Sequence, residues 1–186
     1  MVKKITMWLY LEPLLYSEEY LHLSDISRKL EKNHAVVRQY LNFFESLGVL
    51  SKKIKGRLTM YKVNFSHPLI IDYMVLAEKE KLTDKCKKDL IINEIVGFLH
   101  NNLNENNKAL IFGSSVINSR KAEDIDLLIS GKINENKIKE FEKKFNVSIH
   151  LINIKNLNSV KQSLKKEIKT KHLIVQGSEE IIKWLI

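Results

Sequence analysis

The sequence predicts an α+β fold, because apolar runs of strand length and runs with helical spacing both occur along the chain. Residues 109–112 and 127–129 are short apolar runs bounded by glycine, serine or charged side chains, which favours strands. Residues 35–47 and 85–99 instead repeat apolar side chains at helical spacing. The 186 residues have room for two small domains, which we place at residues 1–66 and 105–186, with a helical connector at 67–104.

The first domain is predicted to begin with three helices. The almost wholly apolar stretch 5–15 predicts a packing helix, and Ser24 is placed to cap the next helix. A further helix is predicted over 35–47, and Gly48 would end it from the C′ position. Its buried stripe is expected to contain Val37, Tyr40, Leu41, Phe44 and Leu47.

Two strands, predicted at residues 49–54 and 58–64, follow this helix and form a hairpin. The hairpin contains only basic charged residues: Lys52, Lys53, Lys55, Arg57 and Lys62. One face of the preceding helix carries small or hydrogen-bonding side chains and no acid: Ala35, Arg38, Gln39 and Asn42. Side chains of these kinds bind phosphates and base edges.

Helix, turn, helix and basic hairpin, in this order, resemble a winged helix-turn-helix domain. The resemblance implies double-stranded DNA as the partner, with the second helix in the major groove and the hairpin on the backbone or in the minor groove. Since one such domain reads few base pairs, a homodimer is expected. The alternative is a protein-binding module whose basic hairpin is only a solvated surface.

Two helices are predicted in the connector. Pro68 suits the first residue of a helix over residues 69–82, and a second helix is predicted over 85–99, after a break at Thr83 and Asp84. Neither helix is rich in glycine or serine, so a stiff connection is expected.

A glycine-serine pair and a pair of aspartates mark the second domain. Gly113 and Ser114 end the first apolar strand, nine residues follow, and Asp124 and Asp126 then precede the second. Carboxylates two residues apart on a strand leave the same face and can hold a hard cation such as Mg²⁺. Glycine lets a phosphate approach the backbone closely, and a helix starting after it would offer free amides. Phosphate and Mg²⁺ together suit nucleotidyl transfer.

This spacing resembles the signature of the polymerase-β-type nucleotidyltransferase superfamily, most closely its minimal nucleotidyltransferase branch. The resemblance implies a mixed sheet with flanking helices, a nucleoside triphosphate at Gly113 and Ser114, and Mg²⁺ at Asp124 and Asp126. Together with the first domain, the chain resembles archaeal proteins that fuse a winged helix to a minimal nucleotidyltransferase.

The chain departs from the family pattern at two places. A third carboxylate from a later strand completes the metal site in the family, whereas the predicted strand 147–154 offers His150. That histidine has three open roles: a structural residue, a metal ligand, or a base. The usual arginine-rich turn after Gly-Ser is also absent, so Arg120 or Lys121 would have to face the phosphates.

Two functions from different classes follow. The first is a DNA-binding regulator whose nucleotidyltransferase-like domain binds nucleotide with weak or absent transfer. The alternative is an active enzyme that moves a nucleoside monophosphate from a triphosphate to a hydroxyl of a nucleic acid or protein.

The rest of the second domain is predicted to consist of helices at 134–145 and 156–171, a strand at 172–175, and a closing helix from Ser178. The net charge of +9 favours a polyanionic partner. The single cysteine, Cys86, excludes an internal disulfide and an all-cysteine metal site. With no signal-peptide pattern, a cytoplasmic protein is expected.

Overall fold

The computed structural model describes residues 7–186, which form two compact units divided between Glu80 and Lys81. Each unit has its own β-sheet together with helices, so the α+β class predicted from the sequence is confirmed. The first residues of the helix predicted at 5–15 lie outside the described part of the chain. None of the helices in the described part combines the length and apolar character needed to cross a membrane.

The first unit is a small helical assembly closed by a three-stranded sheet. The sheet order is β1-β3-β2, with both pairings antiparallel. The half-buried Trp8 packs against this assembly, with ring centroids 5.6 Å from Phe44 and 5.5 Å from Tyr73. In chain order the elements are a 3-10 helix at Trp8–Leu14, β1 at Leu21–His22, α1 at Leu23–Leu30, α2 at His34–Ser46, β2 at Leu50–Lys55, β3 at Leu58–Val63 and the first part of α3, Ile70–Lys88.

The helix starts in this unit differ from two predictions. Ser24 does not cap α1, because β1 pairs with β3 and holds His22 extended, so the helix begins directly at Leu23. The start of α2 is capped by Asn33, whose side-chain oxygen accepts a 2.8 Å bond from the Ala35 amide.

The packing face of α2 is close to the predicted one. Val37, Leu41 and Phe44 are fully buried. Leu47 is 39% exposed because it occupies the C-cap, beyond the last turn of the helix. Gly48 follows with φ +74°, the left-handed conformation that the C′ position requires.

The hairpin formed by β2 and β3 turns through Gly56 and Arg57. Lys55 pairs with Leu58, so the connection has only these two residues, and Gly56 supplies the positive φ of +59° that such a turn needs. The strand bounds lie within one residue of the prediction.

The break between the two middle helices lies five residues later than predicted. Helix α3 continues through Thr83 and Asp84, because the Asp84 carboxylate pairs with Lys88 one turn ahead, at 2.6 Å, instead of capping a new helix. The break falls at Asp89, which caps α4 by accepting a bond from the Ile92 amide. Pro68 lies in the turn before α3.

The second unit is a four-stranded mixed sheet with helices on both faces. Strand order is β6-β5-β4-β7, with β5 and β6 parallel and the other pairs antiparallel. Beyond the end of α3 its elements are α4 at Leu90–Asn102, β4 at Lys108–Phe112, a 3-10 turn at Gly113–Val116, β5 at Ile125–Ser130, α5 at Glu135–Phe145, β6 at Ile149–Ile154, a 3-10 turn at Leu157–Ser159, α6 at Gln162–Thr170, β7 at His172–Gln176 and α7 at Ser178–Leu185.

Each face of this sheet has its own apolar layer. On one face Ile95 of α4 and Phe141 of α5 pack with Ile111 and Leu127 in a single core cluster. The alternate strand residues point to the other face, where α7 contacts β4 and β7. Helix α4, predicted as connector, therefore belongs to the core of the second unit.

The helix predicted over residues 156–171 is interrupted. The side chain of Asn156 accepts a 3.1 Å bond from the Ser159 amide and closes a short 3-10 turn. Val160 and Lys161 are then extended, so α6 starts only at Gln162.

Candidate functional site

Strand pairing brings the second aspartate and the histidine together at one end of the sheet. Asp126 lies directly opposite His150 on the parallel neighbour β6, and opposite Phe112 on the antiparallel neighbour β4. Directly paired residues project from the same face of a sheet. The imidazole Nδ1 of His150 accordingly lies 2.9 Å from the Oδ1 of Asp126.

Asp124 completes a cluster of three metal-ligating side chains. One ligand atom each from Asp124, Asp126 and His150 lie within 4.8 Å of one another. Both carboxylates are half-buried, whereas 58% of the His150 side chain is exposed. Two oxygens and one nitrogen at these distances fit a single divalent cation, although the nitrogen stands where an all-oxygen site for Mg²⁺ would have a third oxygen.

Gly113 lies against this cluster. Its φ is +76°, and a Cβ at this position would collide with the carboxylate of Asp126. The position therefore requires glycine for its backbone conformation and for the close approach. The turn is held in place by two bonds, from the Gly113 amide to the Lys171 carbonyl at 3.3 Å and from the Ser115 hydroxyl to the Phe112 carbonyl at 3.1 Å.

The helix start expected after Gly113 is reduced to one 3-10 turn, Gly113–Val116. Ser114 is exposed on this turn. Arg120 and Lys121 are also exposed, in a tight turn where both the Lys121 and Ala122 amides donate to the Asn118 carbonyl. Within residues 7–186 the structure records no direct bond between these two cationic side chains and the aspartates.

The loop between the Gly-Ser turn and the aspartates is anchored by Asp89 and Lys85. The Asp89 carboxylate accepts a 2.6 Å bond from the Ser119 hydroxyl and pairs with Lys85 at 3.0 Å. Lys85 also donates to the Ile117 carbonyl at 2.9 Å. The start of α4 therefore fixes the path of the loop that leads to Asp124.

The electrostatics of this anchor favour the ionised carboxylate. Burial alone would raise the pKa of Asp89, but hydrogen bonds from Ser119, Lys85 and the Ile92 amide, with the Lys85 charge, hold that pKa below its ordinary value. Burial and the Asp89 charge in turn raise the pKa of Cys86, so this thiol is not an activated nucleophile.

The residues predicted to bind DNA are mostly accessible. Ala35, Arg38 and Gln39 are exposed on α2. Asn42 is not free on that face, since its side-chain oxygen accepts bonds from the Tyr61 hydroxyl at 2.8 Å and from Lys52 at 3.1 Å. The four basic residues nearest the hairpin turn are exposed: Lys52, Lys53, Lys55 and Arg57.

The anchor formed by Lys85, Asp89 and Ser119 was not predicted from the sequence. A signal for Asp89 was present, because an aspartate directly before the apolar run from Leu90 is a typical N-cap. Nothing local marked Ser119, which lies thirty residues further along the chain.

Similarity to known proteins is limited. No protein-family model and no curated protein matches the chain. A chain in a crystal structure of a mutant of the toxin-antitoxin MntA-HpeT is similar in structure, with 17% identity and a TM-score of 0.38. The similarity covers 50% of this chain and 78% of that one.

We predict that Gly113→Ala destabilises the protein more than Gly56→Ala. Both substitutions place a side chain at positive φ, which costs about 1–2 kcal/mol. Only the first also drives a methyl group into the Asp126 carboxylate, since nothing lies within 4 Å of a Cβ at Gly56. Urea unfolding followed by circular dichroism measures both losses, and equal losses would contradict the tight approach at Gly113.

We predict that the stabilisation by ionised Asp89 depends on pH. A folded-state pKa below the unfolded value contributes stability that is complete above about pH 4 and is lost as the pH falls through the folded pKa. Asp89→Asn should therefore lower the free energy of unfolding by roughly 1.5 kcal/mol near pH 6, and by progressively less below pH 4.

The control is Asp84→Asn, because Asp84 pairs with Lys88 on the surface of α3, five residues before Asp89. It should cost less than about 1 kcal/mol. Denaturant unfolding at several pH values measures both variants, and a cost for Asp89→Asn that is independent of pH would refute the role of its charge.

Proposed function

We propose that this chain is a DNA-binding regulator of the winged helix-turn-helix type whose second unit binds a nucleoside triphosphate together with a divalent cation. In this proposal nucleotidyl transfer is weak or absent. The single observation that carries the DNA-binding function is the accessible, one-signed charge of the β2-β3 hairpin.

The geometry of the hairpin supports DNA rather than a protein partner. Its basic side chains extend from both strands to the turn, where Lys55 and Arg57 are exposed and no acid neutralises them within the hairpin. Arg38 and Gln39 on α2 are exposed as well, and both residue types bind bases and phosphates. The bonds from Tyr61 and Lys52 to Asn42 tie this helix to the hairpin, so the two surfaces are presented as one rigid body.

A homodimer belongs to this proposal for a geometric reason. One helix in the major groove contacts only a few base pairs, and two copies related by a twofold axis would read a two-part site. Double-stranded DNA with two half-sites is therefore the expected partner.

The nucleotide site of the proposal is the cluster of Asp124, Asp126 and His150 beside Gly113. The two carboxylates would hold the cation, which offsets the negative charge of the phosphates. Gly113 allows a phosphate to approach the backbone, and the exposed hydroxyl of Ser114 is free to donate to it. Arg120 and Lys121, on the turn just before the aspartates, supply positive charge for the outer phosphates.

Weak transfer follows from the composition of the cluster. Two carboxylates and a neutral imidazole carry one negative charge fewer than the three carboxylates of the family that the sequence resembles. A site with less negative charge holds a second cation poorly, and the attacking hydroxyl of this reaction class depends on such activation.

The alternative function, an active nucleotidyltransferase, is favoured by the position of the His150 ring. The ring points toward Asp126 and not away from it, as a ligand or a base at this site must. In the reaction, an acceptor hydroxyl attacks the α-phosphorus of the triphosphate in line, a new phosphorus–oxygen bond forms, and pyrophosphate leaves. The proton of the hydroxyl would pass to solvent or to His150.

The DNA-binding proposal predicts that reversing the charge of the hairpin weakens specific and non-specific binding alike. The triple variant Lys53→Glu, Lys55→Glu and Arg57→Glu should weaken binding to duplex DNA by at least about a hundredfold near physiological salt, because phosphate contacts dominate the affinity. The slope of log affinity against log salt should also become shallower, by about 0.9 for each phosphate that the protein no longer neutralises.

A matched control reverses Lys132, Lys139 and Lys143, three exposed lysines of the second unit. Both triple variants lower the net charge equally, so only the location differs. Fluorescence anisotropy with labelled duplex measures both. Equal affinity losses for the two variants would show that the effect is one of net charge and would refute the hairpin as the DNA interface.

The nucleotide proposal predicts binding without transfer. Labelled ATP or CTP, incubated with the protein and a divalent cation, should be retained on equilibrium dialysis, and Asp124→Ala should abolish this retention. No label should move to DNA, RNA or protein. Transfer of label that disappears in Asp124→Ala would instead establish the alternative, an active nucleotidyltransferase, while retention unaffected by Asp124→Ala would refute the site.

A further inference from the structure

We propose that the cluster of Asp124, Asp126 and His150 selects a late first-row transition ion, of the Co²⁺ and Zn²⁺ class, over Mg²⁺. The inference deepens the cation site of the proposed function and rests on it. It concerns the choice of ion, which the acidic residues alone do not determine.

The donor atoms argue against Mg²⁺ as the preferred ion. Mg²⁺ takes oxygen ligands in a nearly octahedral shell and gives up its water reluctantly. An imidazole nitrogen is a poor ligand for such an ion and a good one for Zn²⁺ and its late first-row neighbours. Because His150 stands in the cluster, one of the three donors is of the kind that Mg²⁺ disfavours.

The backbone places this nitrogen at the cluster, so its presence there does not depend on a side-chain rotation alone. Asp126 and His150 are register partners in the parallel pair of β5 and β6, and the same pairing continues for the full length of both strands. Nδ1 lies 2.9 Å from the Asp126 oxygen, close enough for one cation to contact both atoms. The strand register therefore fixes the backbone of His150 beside Asp126, and only a change of the His150 rotamer could move the imidazole away.

The competing explanation is that His150 only donates a hydrogen bond to Asp126. In that case the pair is satisfied without a cation, and the imidazole would play no part in metal binding. The side chain is 58% exposed, which leaves its second nitrogen to solvent and the ring accessible to reagents. The two explanations therefore differ in how the ring responds to added metal.

The test is a titration of the full chain with Co²⁺ in the absence of nucleotide, read from the visible absorption of the bound ion. Mg²⁺ is then added as a competitor. His150→Asp should lower the ratio of Co²⁺ affinity to Mg²⁺ affinity by at least about tenfold, because it removes the nitrogen ligand that favours Co²⁺. The same variant should strengthen Mg²⁺ binding, because it replaces nitrogen with a carboxylate.

The matched control is His100→Asp, which changes an exposed histidine at the end of α4 in the same way. It should leave both affinities unchanged. A ratio of Co²⁺ to Mg²⁺ affinity that is insensitive to His150→Asp, or one reduced as much by His100→Asp, overturns the inference. So does a Mg²⁺ affinity that fails to rise in His150→Asp.

A second measurement uses the unaltered protein and so remains valid if the variant does not fold. Diethyl pyrocarbonate acylates accessible imidazoles, and mass spectrometry locates the modified histidines. Zn²⁺ should protect His150 but not His100, and Mg²⁺ at the same concentration should protect neither. Equal modification of His150 with and without Zn²⁺ overturns the inference.

Failure of this inference and failure of the proposed function are separable. Retention of ATP with Mg²⁺ preferred over Co²⁺ overturns the choice of ion and leaves the nucleotide site intact. Protection of His150 by Zn²⁺ without any retention of nucleotide supports the choice of ion and refutes the nucleotide site.

Discussion

The parallel pairing of β5 with β6 is the constraint on which the candidate site depends. Its register, Asp126 opposite His150, places a carboxylate and an imidazole on the same face of the sheet. A shift of one residue would move every side chain of β6 to the other face and leave a lone aspartate pair. The apolar side chains of β6 make such a shift costly, since Ile149 and Leu151 pack against the core cluster and would be turned away from it. The apolar core thus determines which polar side chains meet.

Polar anchors then determine how the chain reaches this sheet edge. The Gly-Ser turn and the aspartates are separated by a loop without regular structure, and such a segment would otherwise sample many paths. Asp89 restrains it through Ser119, while Lys85 holds the Ile117 carbonyl. Both residues come from the junction of α3 and α4, so these helices hold the loop in place as well as packing against the sheet. The loop is ordered by charge and hydrogen bonds, whereas the strands are ordered by apolar packing.

Local sequence patterns predicted the glycine and the aspartates of the candidate site. Non-local contacts explain the features that were misplaced or missed. Gly113, Asp124 and Asp126 could be recognised because glycine, spacing and apolar runs are local signals. The break between α3 and α4 was misplaced because Asp84 and Asp89 both look like caps, and only the pairing of Asp84 with Lys88 decides between them. Ser119 and the role of Asn42 could not be found, because their partners lie far away in the sequence.

Charge balance links the composition of the cluster to the function proposed for it. Two carboxylates neutralise one divalent cation, and a neutral imidazole adds a ligand without adding charge. A first cation at the cluster would therefore be neutralised completely by the protein. A second cation would meet no remaining negative charge from the protein and would depend on the phosphates alone. Transfer reactions that use two cations are disfavoured at such a site, whereas binding of a nucleotide with one cation is not. Under the proposed function, His150 in place of an acid would thus favour nucleotide binding over nucleotidyl transfer.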